Sequence, residues 1–384
     1  MVYCGFSVVE KDLGNIKSAL LVIDTLKEVG GAQKVIPFFA RALIKNGIEV
    51  KIFVLKKTSD VLNIEDIQTI FCLEESQRLT TEFFRITSEL SALTKQFDAL
   101  VGFMDFSANF ITSFVASLNK KPYILSVRCE VSNAIELLDF PDVTAEIVKM
   151  TYSNANLVVC NSEASRQDIV NTYCVNKDKT FVLKNPLDLE YIKTATLEPV
   201  DVADEKLFQK TTIIAVGRLC YQKNYFRLFE AMRYLLDERG DAANLLVLGD
   251  GEDRERLGAF IREHELENNV FLLGNKRNVY RYLSKADIFV HASVSEGSPN
   301  AVMEAMSVGL PIAVSNIKSI CDVLDSDIDV ALFNPSDTTQ IKDKICVCLD
   351  SGRKRIFSKK IEEFSVDTFY GGVTELLKRF DNNI

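Results

Sequence analysis

Short apolar runs alternate with longer amphipathic stretches along nearly the whole chain, and few folds accommodate that alternation. Ala19-Leu20-Leu21-Val22-Ile23-Asp24 is predicted to be a buried strand. Gly30-Gly31 follows as a turn, and the spacing predicts a helix over 32–46, closed by Gly47 in a left-handed cap. Pro37 falls inside that helix, where it kinks the helix or delays its start. Further strands are predicted over 49–55, 99–103, 122–127, 157–160 and 181–183, with helices over 109–118 and after Asn161-Ser162. Strand and helix in turn, joined by short loops, make a parallel sheet covered on both faces.

The pattern breaks between about 187 and 210, where Pro199 and many acids mark a linker. A second α/β series starts at Thr211-Thr212-Ile213-Ile214-Ala215-Val216, with later strands over 244–248, 270–273, 288–291, 311–314 and 330–333. At 384 residues the chain is long for one core and suits two domains of about 150 to 200 residues. Both are expected to be doubly wound. Ligands of such sheets bind beyond the carboxyl ends of the strands, so the natural site is the cleft between the domains.

Hydrophobic residues make up 47% and charged residues 26%, an ordinary globular balance. A net charge of −9 argues against a nucleic-acid partner, which needs a basic excess or stripe, but leaves room for a local basic pocket. The nine cysteines are scattered, and the one close pair, Cys346-Val347-Cys348, falls in an apolar helical stretch, as buried free thiols do. Met1 to Lys17 lacks a basic region followed by an apolar core, and no apolar run approaches 18 residues. The expected compartment is the reducing cytoplasm.

The run from Val294 to Ala305 carries the densest chemistry. Ser298 suits an N-cap and Pro299 a first helical position, because proline lacks an amide that would be orphaned there. Gly297, Ser298, Pro299, Asn300 and Ala301 would then set a positive helix end against an anion such as phosphate. Glu296 precedes that site, and Glu304 lies about 9 Å further along the helix.

After the first strand of the second domain come Gly217-Arg218-Leu219-Cys220-Tyr221-Gln222-Lys223-Asn224. Gly217 permits close backbone approach, and Arg218 and Lys223 suit a diphosphate clamp or, equally, a solvated loop. Gly249-Asp250-Gly251 and Gly274-Asn275 end two more strands on the same rim, with backbone groups placed for a nucleotide base. In the first domain, Gly30-Gly31 is a phosphate-facing turn or a plain one. Arg128 ends a strand toward the cleft and serves either the site or a structural ion pair. His264 is expected in solvent and His291 packed and hydrogen-bonded. No metal-ligand cluster or serine–histidine–aspartate set is evident.

Taken together, Gly217-Arg218, Gln222-Lys223-Asn224, Gly249-Asp250-Gly251, Glu296-(seven residues)-Glu304-Ala305 and Gly309-Leu310-Pro311 resemble the retaining glycosyltransferases of family 4. Asn185-Pro186-Leu187-Asp188 resembles that family's exit from its first domain, and Gly30-Gly31 its phosphate loop. The resemblance implies the GT-B fold, two Rossmann-like domains facing a central cleft. It divides the chain into 1–190, an acceptor-side domain; 191–210, a linker; 211–363, a nucleotide-sugar domain; and 364–384, a helix crossing back. It also implies roles. Arg218 and Lys223 hold the donor diphosphate, Glu304 the ribose, and Glu296 with the backbone of 297–300 the sugar and phosphate.

Such enzymes transfer a hexose from a nucleotide diphosphate sugar with retention and without a metal, the leaving phosphate taking the acceptor's proton. Family habit points to a uridine donor and a glycan or lipid-linked acceptor of a surface polysaccharide, with room for peripheral contact at the inner membrane face. The chain departs from many relatives by placing Arg128 where they carry histidine, and Ile317-Lys318-Ser319 where they carry a glycine pair. A silent nucleotide-sugar-binding protein and a sugar-nucleotide epimerase of the same fold are the rival readings, with a phosphorylase remote.

Overall fold

The computed structural model describes residues 16–27, 31, 33–240, 243–324, 330–351 and 358–384. Gly30 and the N-terminal stretch through residue 15, both invoked above, lie outside them.

Two parallel sheets carry the fold. The first contains β1 (Ser18–Ile23), β2 (Glu49–Lys56), β3 (Thr69–Leu73), β4 (Ala99–Gly102), β5 (Tyr123–Val127), β6 (Leu157–Cys160) and β7 (Thr180–Val182), in the order β3-β2-β1-β4-β5-β6-β7. Its helices are α1 (Ile36–Lys45), α2 (Phe83–Thr94), α3 (Ser107–Asn119), α4 (Val131–Ile135), α5 (Pro141–Ser153) and α6 (Glu163–Tyr173). Successive residues of β1 point to opposite faces. Ala19, Leu21 and Ile23 enter the core shared with α1, while Leu20 and Val22 enter the core beneath α2, α3 and α5. Each fully buried Leu, Ile or Val contributes roughly 1.5–3 kcal/mol, so burial on both faces holds β1 at the centre of the sheet. The helix expected over 32–46 starts later, at Ile36, because Pro37 is accepted only in the first turn. Gly47, at φ +81°, follows its end.

The second half begins with α7 (Leu189–Ala195) and then forms β8 (Thr211–Val216), β9 (Ala243–Leu248), β10 (Val270–Gly274), β11 (Ile288–His291), β12 (Ile312–Ser315) and β13 (Ala331–Phe333). The strand order is β10-β9-β8-β11-β12-β13. The helices are α8 (Tyr225–Arg239), α9 (Arg254–Glu263), α10 (Tyr280–Lys285), α11 (Asn300–Ser307), α12 (Lys318–Cys321), α13 (Thr338–Asp350) and α14 (Val366–Asp381). In both sheets the order of the strands reverses beside a central strand, between β1 and β4 and between β8 and β11, which opens a crevice at the strand ends.

The acid-rich stretch expected as a linker over 191–210 is docked secondary structure. A 3-10 helix covers Val202–Gln209, and Ile192, Val200 and Leu207 are buried in the second sheet's core. Its acids are engaged as well, since the Lys276 ammonium lies 2.6 Å from Asp201 and 2.8 Å from Asp204. The chain crosses between the sheets twice, and the crossings lie side by side, the Leu187 amide donating to the Phe364 carbonyl at 2.6 Å. Beyond the second crossing α14 returns to the first sheet, burying Phe369, Val373 and Leu376 against Phe39 and Leu43 of α1. No helix among the described residues is long and apolar enough to cross a membrane.

Candidate active site

The loop from β11 to α11 and the loop from β8 to α8 meet at the cleft. They are laced together by three side chains. Gln222 Nε2 donates to the Ser295 carbonyl at 2.6 Å, Asn224 Nδ2 donates to the Ala292 carbonyl at 3.1 Å, and Lys223 is ion-paired with Glu296. His291, the last residue of β11, presents Nε2 to Glu296 Oε1 at 2.8 Å and to Ser293 Oγ at 3.0 Å. Burial raises the Glu296 carboxyl, but the Lys223 charge and the His291 hydrogen bond outweigh it and hold the group well below the usual carboxylate range. Burial pulls His291 the other way, below the usual imidazole range, so it sits neutral on Phe289 with its nitrogen occupied. The packed, hydrogen-bonded histidine expected from sequence is what the fold contains.

The helix after Glu296 starts one residue later than its cap chemistry suggests. Pro299 takes the cap position and α11 begins at Asn300. The Asn300 amide bonds to the Ser298 carbonyl at 2.9 Å, so the backbone rather than the Ser298 hydroxyl closes the turn. Ala301 lies in the first turn. Gly297 has a purpose invisible in the sequence. A Cβ there would stand 2.1 Å from the Arg128 carbonyl oxygen across the cleft, so only glycine lets the two domains meet at that point.

Glu304 is buried on α11, its Oε1 accepting from the Tyr280 hydroxyl at 3.2 Å, with the Lys34 ammonium of the first domain at 3.8 Å. Gly31 lies over the start of the same helix, a Cβ on it falling 3.5 Å from Asn300 Nδ2.

Arg128 points inward rather than openly into the cleft. Its guanidinium lies 5.1 Å from the Phe103 ring centre and donates to Asn185 Oδ1 at 2.6 Å, and the Asn185 amide donates in turn to Asn300 Oδ1 at 2.8 Å. This relay ties the first domain to the head of α11. Burial lowers the Arg128 guanidinium to about 10. Its backbone amide donates to Asp105 at 2.9 Å, and burial pushes that carboxyl up to about 6 against this bond and the nearby Arg128 charge.

Arg218 is exposed and makes no hydrogen bond or ion pair among the described residues. Gly217 accepts the Tyr225 hydroxyl at 3.1 Å. The Gly249 amide is bonded to the Gly274 carbonyl at 2.8 Å, and a Cβ on Gly249 would fall 2.0 Å from the Gly217 carbonyl oxygen. These glycines therefore stack the rim loops on one another. Asn275 beside them is exposed.

The fold thus gathers Glu296, Lys223, Gly297, Asn300, Gly31, Glu304 and, through Asn185, Arg128. It leaves Arg218 and Asn275 standing free on the rim. Sequence reasoning assigned no role to Lys34, Tyr280 or Asp105, and read Asn185 only as part of the exit from the first domain.

Residues 29–191 match the family model described as Glycosyltransferase Family 4, and residues 202–363 the model described as Glycosyl transferases group 1. A Campylobacter jejuni N-acetylgalactosamine-N,N'-diacetylbacillosaminyl-diphospho-undecaprenol 4-alpha-N-acetylgalactosaminyltransferase is 31% identical over 187 residues, 49% of this chain and 48% of the relative. An Escherichia coli UDP-Gal:alpha-D-GlcNAc-diphosphoundecaprenol alpha-1,3-galactosyltransferase is 28% identical over 229 residues, 58% of each. The chain thus matches about half the length of these relatives. The structure of Anabaena HepE in complex with UDP-glucose superposes with a TM-score of 0.78 at 17% identity, covering 94% of this chain and 99% of that one. Two matched halves and one shared architecture place the chain among the family 4 glycosyltransferases of GT-B fold.

Proposed function

We propose that the chain is a retaining glycosyltransferase that moves a hexose from a nucleotide diphosphate sugar, a uridine one, to a lipid-linked glycan acceptor at the cytoplasmic membrane face. The observation that carries this reading is the pairing of buried Glu296 with Lys223 at the mouth of α11, with free Arg218 on the same loop as Lys223. Glu296 fixes one cation in place while Arg218 remains available, so a departing diphosphate meets charge that needs no reorganisation. That clamp supplies the neutralisation a divalent ion would otherwise give, and we assign the enzyme no metal. Glu304, braced by Tyr280, is the ribose acceptor. His291 is spent on Glu296 and Ser293, which leaves proton transfer to the leaving phosphate. The named acceptors of the two relatives, both diphospho-undecaprenol-linked, support the acceptor class.

The test is thermal unfolding with UDP, GDP, ADP and CMP, on the parent and on Glu304→Ala, alongside chromatography of UDP-hexose turnover in EDTA. A ligand at about 100 times its Kd adds roughly 2.7 kcal/mol. Stabilisation by UDP alone, lost in Glu304→Ala, with turnover surviving EDTA, is expected. Stabilisation without turnover would instead mark a silent nucleotide-sugar-binding protein.

A further inference from the structure

Hydrogen bonds run in one direction through the contact between the domains. A guanidinium carries N–H donors and no acceptor, so Arg128 can only donate. Its bond at 2.6 Å therefore requires Asn185, itself buried, to turn Oδ1 toward it. Asn185 must then lead outward with Nδ2, which donates to Asn300 Oδ1 at 2.8 Å. That bond sets Asn300 in turn, since the end of its amide that faces Asn185 has to be the oxygen. The Ser298 hydroxyl reaches the same Oδ1 at 3.3 Å, but a hydroxyl suits either end of an amide and imposes no direction.

The other end of the amide is left for a ligand. Asn300 is half-buried at the cleft, and its Nδ2 makes no hydrogen bond among the described residues. It lies against Gly31, where a Cβ would stand 3.5 Å away. The amide is the first side chain of α11, at the same mouth as the Lys223–Glu296 pair.

We propose that Arg128 and Asn185 are positioning residues that fix the Asn300 side chain as a donor to the terminal phosphate of the nucleotide diphosphate. The proposal rests on the donor reading above and gives Arg128 no contact with the sugar. The residue types follow from the direction. A histidine in place of Arg128 could accept as well as donate and would leave both amides free to turn. A carboxylate at position 185 would pair with the guanidinium more strongly, whereas in this chain Arg128 bonds to an amide and leaves its buried Nε without a partner. Such a carboxylate would accept from both neighbours, however, and so turn the Asn300 oxygen onto the phosphate. Asparagine passes the direction on.

The experiment is calorimetric titration of the full chain with UDP and with UMP, for the parent, Arg128→Met, Asn185→Ala and Asn185→Asp. The parent should prefer UDP. Arg128→Met and Asn185→Ala release the amide and should lower that preference about threefold, whereas Asn185→Asp reverses it and should lower the preference about tenfold. UMP affinity should stay within about twofold throughout, which a general loosening of the fold would not allow. Combined with Asn300→Ala, Asn185→Asp should bring no further loss. Arg128→Met, apolar and of similar length, carries the test if the aspartate variant does not fold. An unchanged preference in the variants, an equal loss of UMP and UDP, or an aspartate effect that persists without the Asn300 side chain overturns the proposal. So does a parent that binds UDP and UMP alike, with the uridine reading intact. A parent that binds neither refutes the donor reading itself, and the relay with it.

Discussion

Asp105 and Glu296 follow β4 and β11, strands that hold equivalent places in the two sheets, and both are buried, yet their charges are set in opposite directions. At Glu296 an ammonium and an imidazole face the carboxylate and overcome its burial. At Asp105 burial prevails and lifts the group to about 6, although the Arg128 amide and the Cys129 and Tyr152 side chains pull the other way. The Arg128 charge also lowers it, but the guanidinium hydrogen-bonds to Asn185 rather than to the carboxylate. One architecture thus fixes a permanent anion–cation pair on its second-domain face and a titratable carboxyl on its first-domain face. The side chains that reach each strand end decide the difference, not the strand end itself.

The sharpest way to break the comparison is Lys223→Ala, which strands the Glu296 charge in the interior. Urea unfolding should show a loss of about 3–5 kcal/mol, most of it recovered when Glu296→Gln is added. A loss below about 1 kcal/mol would mean that Lys223 does not hold the anion.

Gly297→Ala comes next. Its methyl group would displace the Arg128 backbone and part the two faces being compared. Turnover should fall about a hundredfold, with a larger radius of gyration in small-angle scattering. Unchanged scattering would show that the faces do not meet there in solution.

The smallest effect concerns pH. Burial raises Asp24 to about 7 and Asp105 to about 6, so the fold holds these protons better than the unfolded chain does. Their contribution is complete below pH 4 and is lost as pH rises toward 7, whereas that of Glu296 is lost only as pH falls below the ordinary carboxylate range. Asp24→Asn should therefore raise Tm by roughly 2–4 °C at pH 7 and leave it unchanged at pH 4. An equal change at both values would assign Asp24 a different role.

The strands were legible because a parallel strand buried on both faces is written as a continuous apolar run; β6 falls on the predicted 157–160 without adjustment. Edge strand β3, only partly buried, gives a weaker signal and escaped notice. The α11 loop was legible through its helix-start residues, with a one-residue error because the Ser298 carbonyl does the work expected of its hydroxyl. The acids of 201–204 read as part of a linker since their partners, Lys276 and Arg281, lie more than 70 residues away in sequence. Arg128 was ambiguous for the same reason, its partner Asn185 being 57 residues distant. Chemistry held within one loop can be read from spacing, but a contact made across the cleft has no spacing to read.

The twin crossings at Leu187 and Phe364 carry a mechanical consequence. A single tether would let one domain swivel as well as tilt, but two strands of backbone bonded abreast resist twisting while still bending about the line that joins them. Motion between the halves is thereby reduced to something like a book opening on its spine. Bending about that line would part Gly297 from the Arg128 carbonyl, the seat that only glycine fits.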